Sequence, residues 1–246
     1  MEIFVLGFFA IGYLVLAGTD IGVGMALPYL GRTPGERREV IAAIAPFFLG
    51  NEVWLVATGG MLVGLFPRLE GALFADGYAA VVALLVSWVV RDMGLWLRGR
   101  VPYRRWQGWW DGAITAGSWG LALSWGVLLG GITLGVEGPV ALVAAVAVAA
   151  LFGAHGLAFA ALRLRGAPHR RAAVLSGGAG EWRTFALTAA ALAAVGVFAG
   201  LRLPPAAGSS GAPLAPVILA LIPVLVAAQA WVWWTFRHRV TGPSYL

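Results

Sequence analysis

Hydrophobic residues run along this chain in long stretches with few interruptions, roughly 3 to 30, 40 to 66, 73 to 97, 112 to 136, 139 to 162, 183 to 201 and 214 to 236. Each is close to the ~20 residues that an α-helix needs to cross a hydrocarbon layer ~30 Å thick. The stretches are apolar on every face, whereas barrel strands would be ~10 residues long and alternate apolar with polar. The pattern predicts an all-α, polytopic membrane helix bundle with about seven transmembrane helices. Composition agrees: only 11% of residues are charged, against about 25% in ordinary globular chains.

Short connections separate the stretches, PRLEG after the second and VEGP after the fourth, with longer ones at 163 to 183 and at PPAAGSSGAP, 204 to 213. None is long enough for a further domain. We read a single membrane domain over 1–246, with a front four-helix bundle at about 1–138 and a rear three-helix part at about 139–246. Gly18 with Gly22 and Gly126 with Gly130 are spaced as small-residue faces that let helices approach closely. Trp96, Trp106, Trp109 and Trp110, and later Trp231, Trp233 and Trp234, read as anchors at the inner interface.

Net charge is +6 and every basic residue is arginine. The arginines form neither one face nor a tail, so nucleic acid is not an expected partner; membrane lipids are. Fifteen of the seventeen fall at the ends of the first, third, fifth and seventh stretches or in the links that follow them, leaving Arg68 and Arg202 opposite. The positive-inside rule then places the N-terminus outside and the C-terminus in the cytoplasm. That alternation requires an odd number of spans. The opening MEIFVLGFF lacks a basic n-region, so the first helix is expected to stay. There is no cysteine, which excludes disulfides and thiolate ligands.

Against this background, APFFLGNEVWLVATGG, residues 45 to 60, carries Asn51 and Glu52 inside an apolar run, and Asp20 lies inside the first. A charge at a helix centre in lipid costs ~2.5 to 3.5 kcal/mol on the insertion scale, so such acids are expected to be paired, protonated or functional. Counting ~1.5 Å per residue from the inner ends puts Asp20 ~15 Å deep, Glu52 ~18 Å and Arg91 ~9 Å. Asp20, Asn51, Glu52 and Arg91 are therefore expected to share one pocket, with Asp92 facing another direction. Three roles are open to this group: a hydrogen-bonded cluster that fixes helix register, a path for protons or ions, or a contact with a subunit or cofactor. His155, in LFGAHGLAF, is an isolated intramembrane histidine that could ligate a haem or simply pack between Gly153 and Gly156. The sequence contains no Ser/His/Asp set, phosphate-cradling loop or metal-spaced cluster, so no catalytic residue and no metal site is expected in this chain.

The stretch from Gly18 to Pro67 resembles the opening of subunit II of cytochrome bd-type quinol oxidases. The resemblance rests on an acid before Gly-Val-Gly at Asp20 to Gly24, Glu-Arg-Arg at 36 to 38, and Gly-Asn-Glu-Val-Trp at 50 to 54 followed by Phe66 and Pro67. Arg91, Arg98, WDGAITAGS, His155 with Gly156, and AAQAWVWWTFRHRV at 227 to 240 extend it along the chain.

That resemblance implies a multi-pass protein of the bacterial cytoplasmic (inner) membrane. Its partner would be a homologous subunit I that carries haem b and haem d, with quinol as substrate of the complex. No cofactor would sit in this chain. Assembly and proton supply from the cytoplasm would be its part in reducing oxygen to water. Two departures stand out. The family places an Asp, proposed to admit protons, where this chain has Leu49, and it is built from about nine helices rather than seven. Two rival readings follow: a small transporter coupled to Asp20 and Glu52, or a structural subunit of a divergent complex that no longer reduces oxygen.

Overall fold

Pro46 decides how the second apolar stretch folds. Proline has no N–H to donate four residues back and its ring crowds the preceding turn. The helix that began at Pro34 accordingly ends at Ile44, and a new one begins at Phe48. The expected single span over 40 to 66 is thus a short amphipathic helix followed by a shorter span. Prolines divide the neighbouring stretches in the same way, with Pro28 and Pro67 each in the first turn of a new helix.

The structure is a computed structural model that describes residues 2–135, 139–177, 180–203 and 215–242. Its helices are α1 (Glu2–Met25), α2 (Leu27–Leu30), α3 (Pro34–Ile44), α4 (Phe48–Leu65), α5 (Pro67–Asp76), α6 (Tyr78–Leu97), α7 (Arg104–Leu134), α8 (Pro139–Arg163), α9 (Gly166–Ala172), α10 (Glu181–Arg202) and α11 (Ala215–Thr235). No strand occurs among the described residues. Seven of these helices, α1, α4, α6, α7, α8, α10 and α11, are long and apolar enough to cross a membrane. The fold class is the one the hydrophobic pattern predicts. The loop at 204 to 213 and most of VEGP lie outside the described residues.

Helix α1 is the centre of the bundle and packs against α4, α7, α8 and α10. Of its most apolar window 44% is buried, against 6% for α11, which therefore lies at the periphery. Apolar burial against lipid supplies little association energy, so backbone approach and dispersion carry the packing. Gly22 shows this most clearly: a Cβ there would stand 2.0 Å from the Phe152 carbonyl oxygen, and one on Gly156 would stand 2.2 Å from the Gly22 carbonyl carbon. Gly126 meets the Ala145 backbone of α8 in the same manner, its Cβ falling 2.4 Å from the Ala145 Cα. Small residues at these crossings let α1, α7 and α8 touch along their backbones.

Helix α7 begins eight residues before the expected boundary. Its 31 residues span about 46 Å at ~1.5 Å each, more than the hydrocarbon layer is thick. Its first turns therefore stand proud of the layer and carry Trp106, Trp110 and Asp111. On the same side, Thr33 caps α3 with a capping box: its hydroxyl accepts from the Glu36 N–H at 3.2 Å, and its own N–H donates to Glu36 Oε2 at 3.2 Å. Trp233 departs from the expected anchor role, since it packs among Phe47, Phe159 and Phe185 at centroid distances of 5.3, 5.7 and 5.9 Å. Trp109 is 81% exposed.

Candidate functional site

One arginine organises the polar interior. Arg91 of α6 directs Nη2 at Asp20 of α1. Its Nη1 donates to Glu52 Oε1 of α4 at 3.4 Å and to Asp92 Oδ1 at 3.2 Å. Asn51 holds the far side of Asp20: its Nδ2 donates to Asp20 Oδ1 at 3.2 Å and to the Leu16 carbonyl at 3.0 Å. Its oxygen accepts from Gln229 Nε2 of α11 at 2.9 Å, and Gln229 Oε1 accepts from Trp54 Nε1 at 3.3 Å. Four spanning helices, α1, α4, α6 and α11, are thereby joined through one continuous polar chain.

Asp20, Asn51, Glu52 and Arg91 do meet, at a shallower level than counting from the stretch ends gave. Because α1 ends at Met25 and α4 begins at Phe48, Asp20 lies five residues and Glu52 four residues from a helix end, about 7.5 and 6 Å along the axis. Pro46 and the break after Met25 account for the difference. Arg91, six residues from Leu97, sits about 9 Å from its own helix end, as expected. Asp92 is a correction. It turns back onto the Arg91 guanidinium and joins the cluster.

Burial grades across the three acids. The Asp20 side chain is fully buried, that of Glu52 is 11% exposed and that of Asp92 is 19% exposed. Asp92 lies with Trp88, Val89, Met93 and Trp96 along a shallow groove of about 370 Å³ on the outer side of α6. The cluster is therefore sealed at α1 and reaches the surface through Glu52 of α4 and Asp92 of α6. At ~4 Å and an effective dielectric of ~20, one ion pair gains roughly 4 kcal/mol, yet three carboxyl groups share a single guanidinium. Fully ionised, the group would carry an excess of negative charge that burial penalises.

Two further ties close the same end of the bundle. Asp111 of α7 accepts from Arg98 Nε and from Arg37 Nη1, the latter at 3.1 Å. Glu36 forms a two-pronged pair with Arg171 of α9, both contacts at 3.0 Å, and Arg171 also reaches the Leu30 carbonyl. Arg171 and the N–H groups of Arg32 and Thr33 hold the Glu36 carboxyl down to a pKa of about 2.

His155 has both ring nitrogens engaged. Nε2 faces the Val15 carbonyl at 3.0 Å and must carry the hydrogen there, which leaves Nδ1 to accept from the Thr188 hydroxyl at 2.8 Å. Phe185 stacks on the ring at 4.9 Å. In this arrangement it offers no free lone pair to a haem. Among the described residues no group of three or more His, Asp or Glu is arranged to hold a metal ion. Leu49 stands apart from the polar chain, 45% exposed on the outer side of α4.

Gln229, Trp54 and Asp111 belong to these networks and were not singled out as site residues from the sequence, and Asp92 was expected to face away. Gln229 carried a usable signal, since it is the sole amide in an otherwise apolar α11. Asp111 opens the WDGAITAGS segment but lies outside the apolar run as drawn, where an acid attracts no notice.

The family model for cytochrome bd terminal oxidase subunit II matches residues 1–244. The chain is 39% identical over 130 residues to cytochrome bd-I ubiquinol oxidase subunit 2 of Escherichia coli (strain K12), covering 53% of this chain and 34% of that protein. It is 35% identical over 108 residues to cytochrome bd ubiquinol oxidase subunit 2 of Bacillus subtilis (strain 168), covering 44% of this chain and 32% of that protein. These matches span about a third of each relative's length. With a match that runs almost from end to end, the chain belongs to the cytochrome bd terminal oxidase subunit II family.

Proposed function

We propose that this chain is the non-haem subunit of a bd-type quinol:oxygen oxidoreductase in a bacterial inner membrane. It packs against a haem-bearing subunit I and supports proton supply from the cytoplasmic side. Haem b and haem d belong to that partner, and quinol is the substrate of the complex. One observation carries the reading: the cluster around Arg91 reaches the surface of the chain through the partly exposed Glu52 of α4 and Asp92 of α6, the latter along a groove on α6. Acidic groups facing lipid are costly, whereas a partner subunit both covers them and gives their protons a destination. The engaged ring of His155 accords with haem residing elsewhere.

The proton role assigns an order. Asp92, the most accessible acid, exchanges with the outside of the chain, Glu52 receives from it across the shared Arg91 nitrogen, and Asp20 with Asn51 fixes the guanidinium from behind. Leu49 removes the carboxyl group that the family resemblance places on this helix, and Asp92 supplies one from α6 instead.

Affinity purification of the tagged chain from its native membrane, followed by an optical spectrum, tests the assembly. A co-purifying partner with haem b and haem d bands, and quinol-dependent oxygen uptake, is the expected result. A haem-free protein purified alone points to the transporter reading and ends this one. A stable partner without oxygen reactivity points to the divergent complex.

A further inference from the structure

At the end of the bundle where α8 and α11 finish and α10 starts, the chain encloses a cavity of about 550 Å³. That volume is in the range that holds a small-molecule ligand. The segment after α11 forms its roof, folding back so that the Val240 N–H donates to the Arg163 carbonyl at 2.8 Å. Arg163, Arg165 and Arg237 line the cavity, and Phe47, Phe159 and Trp233 wall it on the membrane side.

The cavity's charges do not balance. Arg239 is committed to Glu181 at 2.6 Å, and the other oxygen of Glu181 meets His169 at 2.6 Å. Among the described residues no carboxylate pairs with Arg163, Arg165 or Arg237. Arg163 is 6% exposed, and its Nε is buried without a hydrogen-bond partner in the described chain. Its Nη1 is spent on the Phe236 and His238 carbonyls, which pins the guanidinium at the cavity wall. Arg237 stacks on Trp234 with its Cζ 4.9 Å from the ring centroid. Three like charges around one partly enclosed space repel one another unless an anion sits among them.

We propose that this cavity binds the phosphate group of an anionic phospholipid. Guanidinium groups match phosphate oxygens in geometry and charge, and basic pockets between membrane helices are suited to phosphorylated lipid headgroups. Arg163 supplies the fixed inner donor, and Arg165 and Arg237 close on the phosphate from the rim. The aromatic wall distinguishes a lipid from free phosphate, because Phe47, Phe159 and Trp233 offer surface to the glycerol backbone and the first methylenes, which inorganic phosphate lacks. The lipid would bridge α8, α10 and α11, whose mutual contacts within the chain are sparse around α11.

Native mass spectrometry of the full chain, with any partner that co-purifies, tests this during titration with phosphatidylglycerol, phosphatidylcholine and inorganic phosphate. Phosphatidylglycerol is expected to bind in preference to phosphatidylcholine. Arg165→Gln and Arg237→Gln are each expected to weaken that preference about fivefold, the effect of one arginine near an anionic lipid, while Arg165→Lys retains most of it. Both residues are exposed, so these variants leave the packing intact, and circular dichroism confirms it. Equal retention of the two lipids, unchanged preference in both Gln variants, or saturation by inorganic phosphate with no lipid adduct each overturns the proposal.

Discussion

Arg91 and Asp20 stand 71 positions apart in the chain and meet as a buried guanidinium–carboxylate pair, their side chains 1% and 0% exposed. The contact ties α6 to α1 at the level where Asn51 of α4 grips the same carboxylate. Breaking one side of such a pair strands the other charge, at a cost of about 3–5 kcal/mol. Arg91→Met should therefore lower the thermal unfolding midpoint sharply, because it strands three acids at once. Adding Asp20→Asn to Arg91→Met should restore part of the loss. A double variant no better than the single one, measured in the same detergent, contradicts the charge balance drawn here.

The membrane fold was legible because lipid imposes one simple requirement, a run of apolar residues long enough to cross it, and seven runs meet it. Asp20, Asn51, Glu52 and Arg91 were legible for the same reason, as polar residues where lipid forbids them. Asp92 was not, because direct neighbours on a helix ordinarily diverge by about 100° and only the flexible Arg91 side chain allows both to meet. Gln229 and Trp54 were hidden by their chemistry, neutral groups that hydropathy hardly marks. Pro46 was visible in the sequence but outweighed by the apolar run around it, and its effect on the depth of Glu52 emerged only from the backbone.

Asp92 gives the proton proposal its sharpest test. In the assembled oxidase, Asp92→Asn should slow oxygen uptake by roughly a hundredfold or more, the lower margin of what a positioned proton-transfer group supplies. Asp92→Glu should retain most of the rate, and Leu49→Asp should recover some of it in the Asp92→Asn background by returning a carboxyl to α4. Haem content must be matched across the series. If the Asn variant turns over at the original rate, protons enter elsewhere.

Glu36 predicts a pH effect confined to one rim of the bundle. Its pKa in the folded protein is lowered from 4.5 to about 2 by Arg171 and the N–H groups of Arg32 and Thr33. A depressed carboxylate stabilises the fold fully above its ordinary pKa and loses that contribution as pH falls toward the folded value. The advantage of the parent over Glu36→Gln in thermal midpoint should thus be complete at about pH 6 and fade between about 4.5 and 2. Thr33→Ala removes the other half of the capping box and should cost about 1 kcal/mol at neutral pH. A parent-to-Gln difference that does not change with pH excludes the Arg171 pair as its source.

Two glycines on spanning helices make a matched pair for testing whether backbone approach holds the bundle together. Gly22 faces the α8 backbone with no room for a methyl group, its Cβ falling 2.0 Å from the Phe152 oxygen, whereas Gly60 on α4 has nothing within 4 Å. Gly22→Ala must push α1 off α8 and should cost about 1–3 kcal/mol or more, as overpacking does. Gly60→Ala meets no neighbour and gains helix propensity, up to ~1 kcal/mol in a soluble helix, so its midpoint should stay level or rise. The displacement at Gly22 also loosens the Val15 carbonyl from His155, two turns toward the other end of α1, so Thr188→Val should cost less in the Gly22→Ala background than in the parent. Additive effects of the two substitutions would mean that the α1–α8 crossing and the His155 contacts are energetically separate.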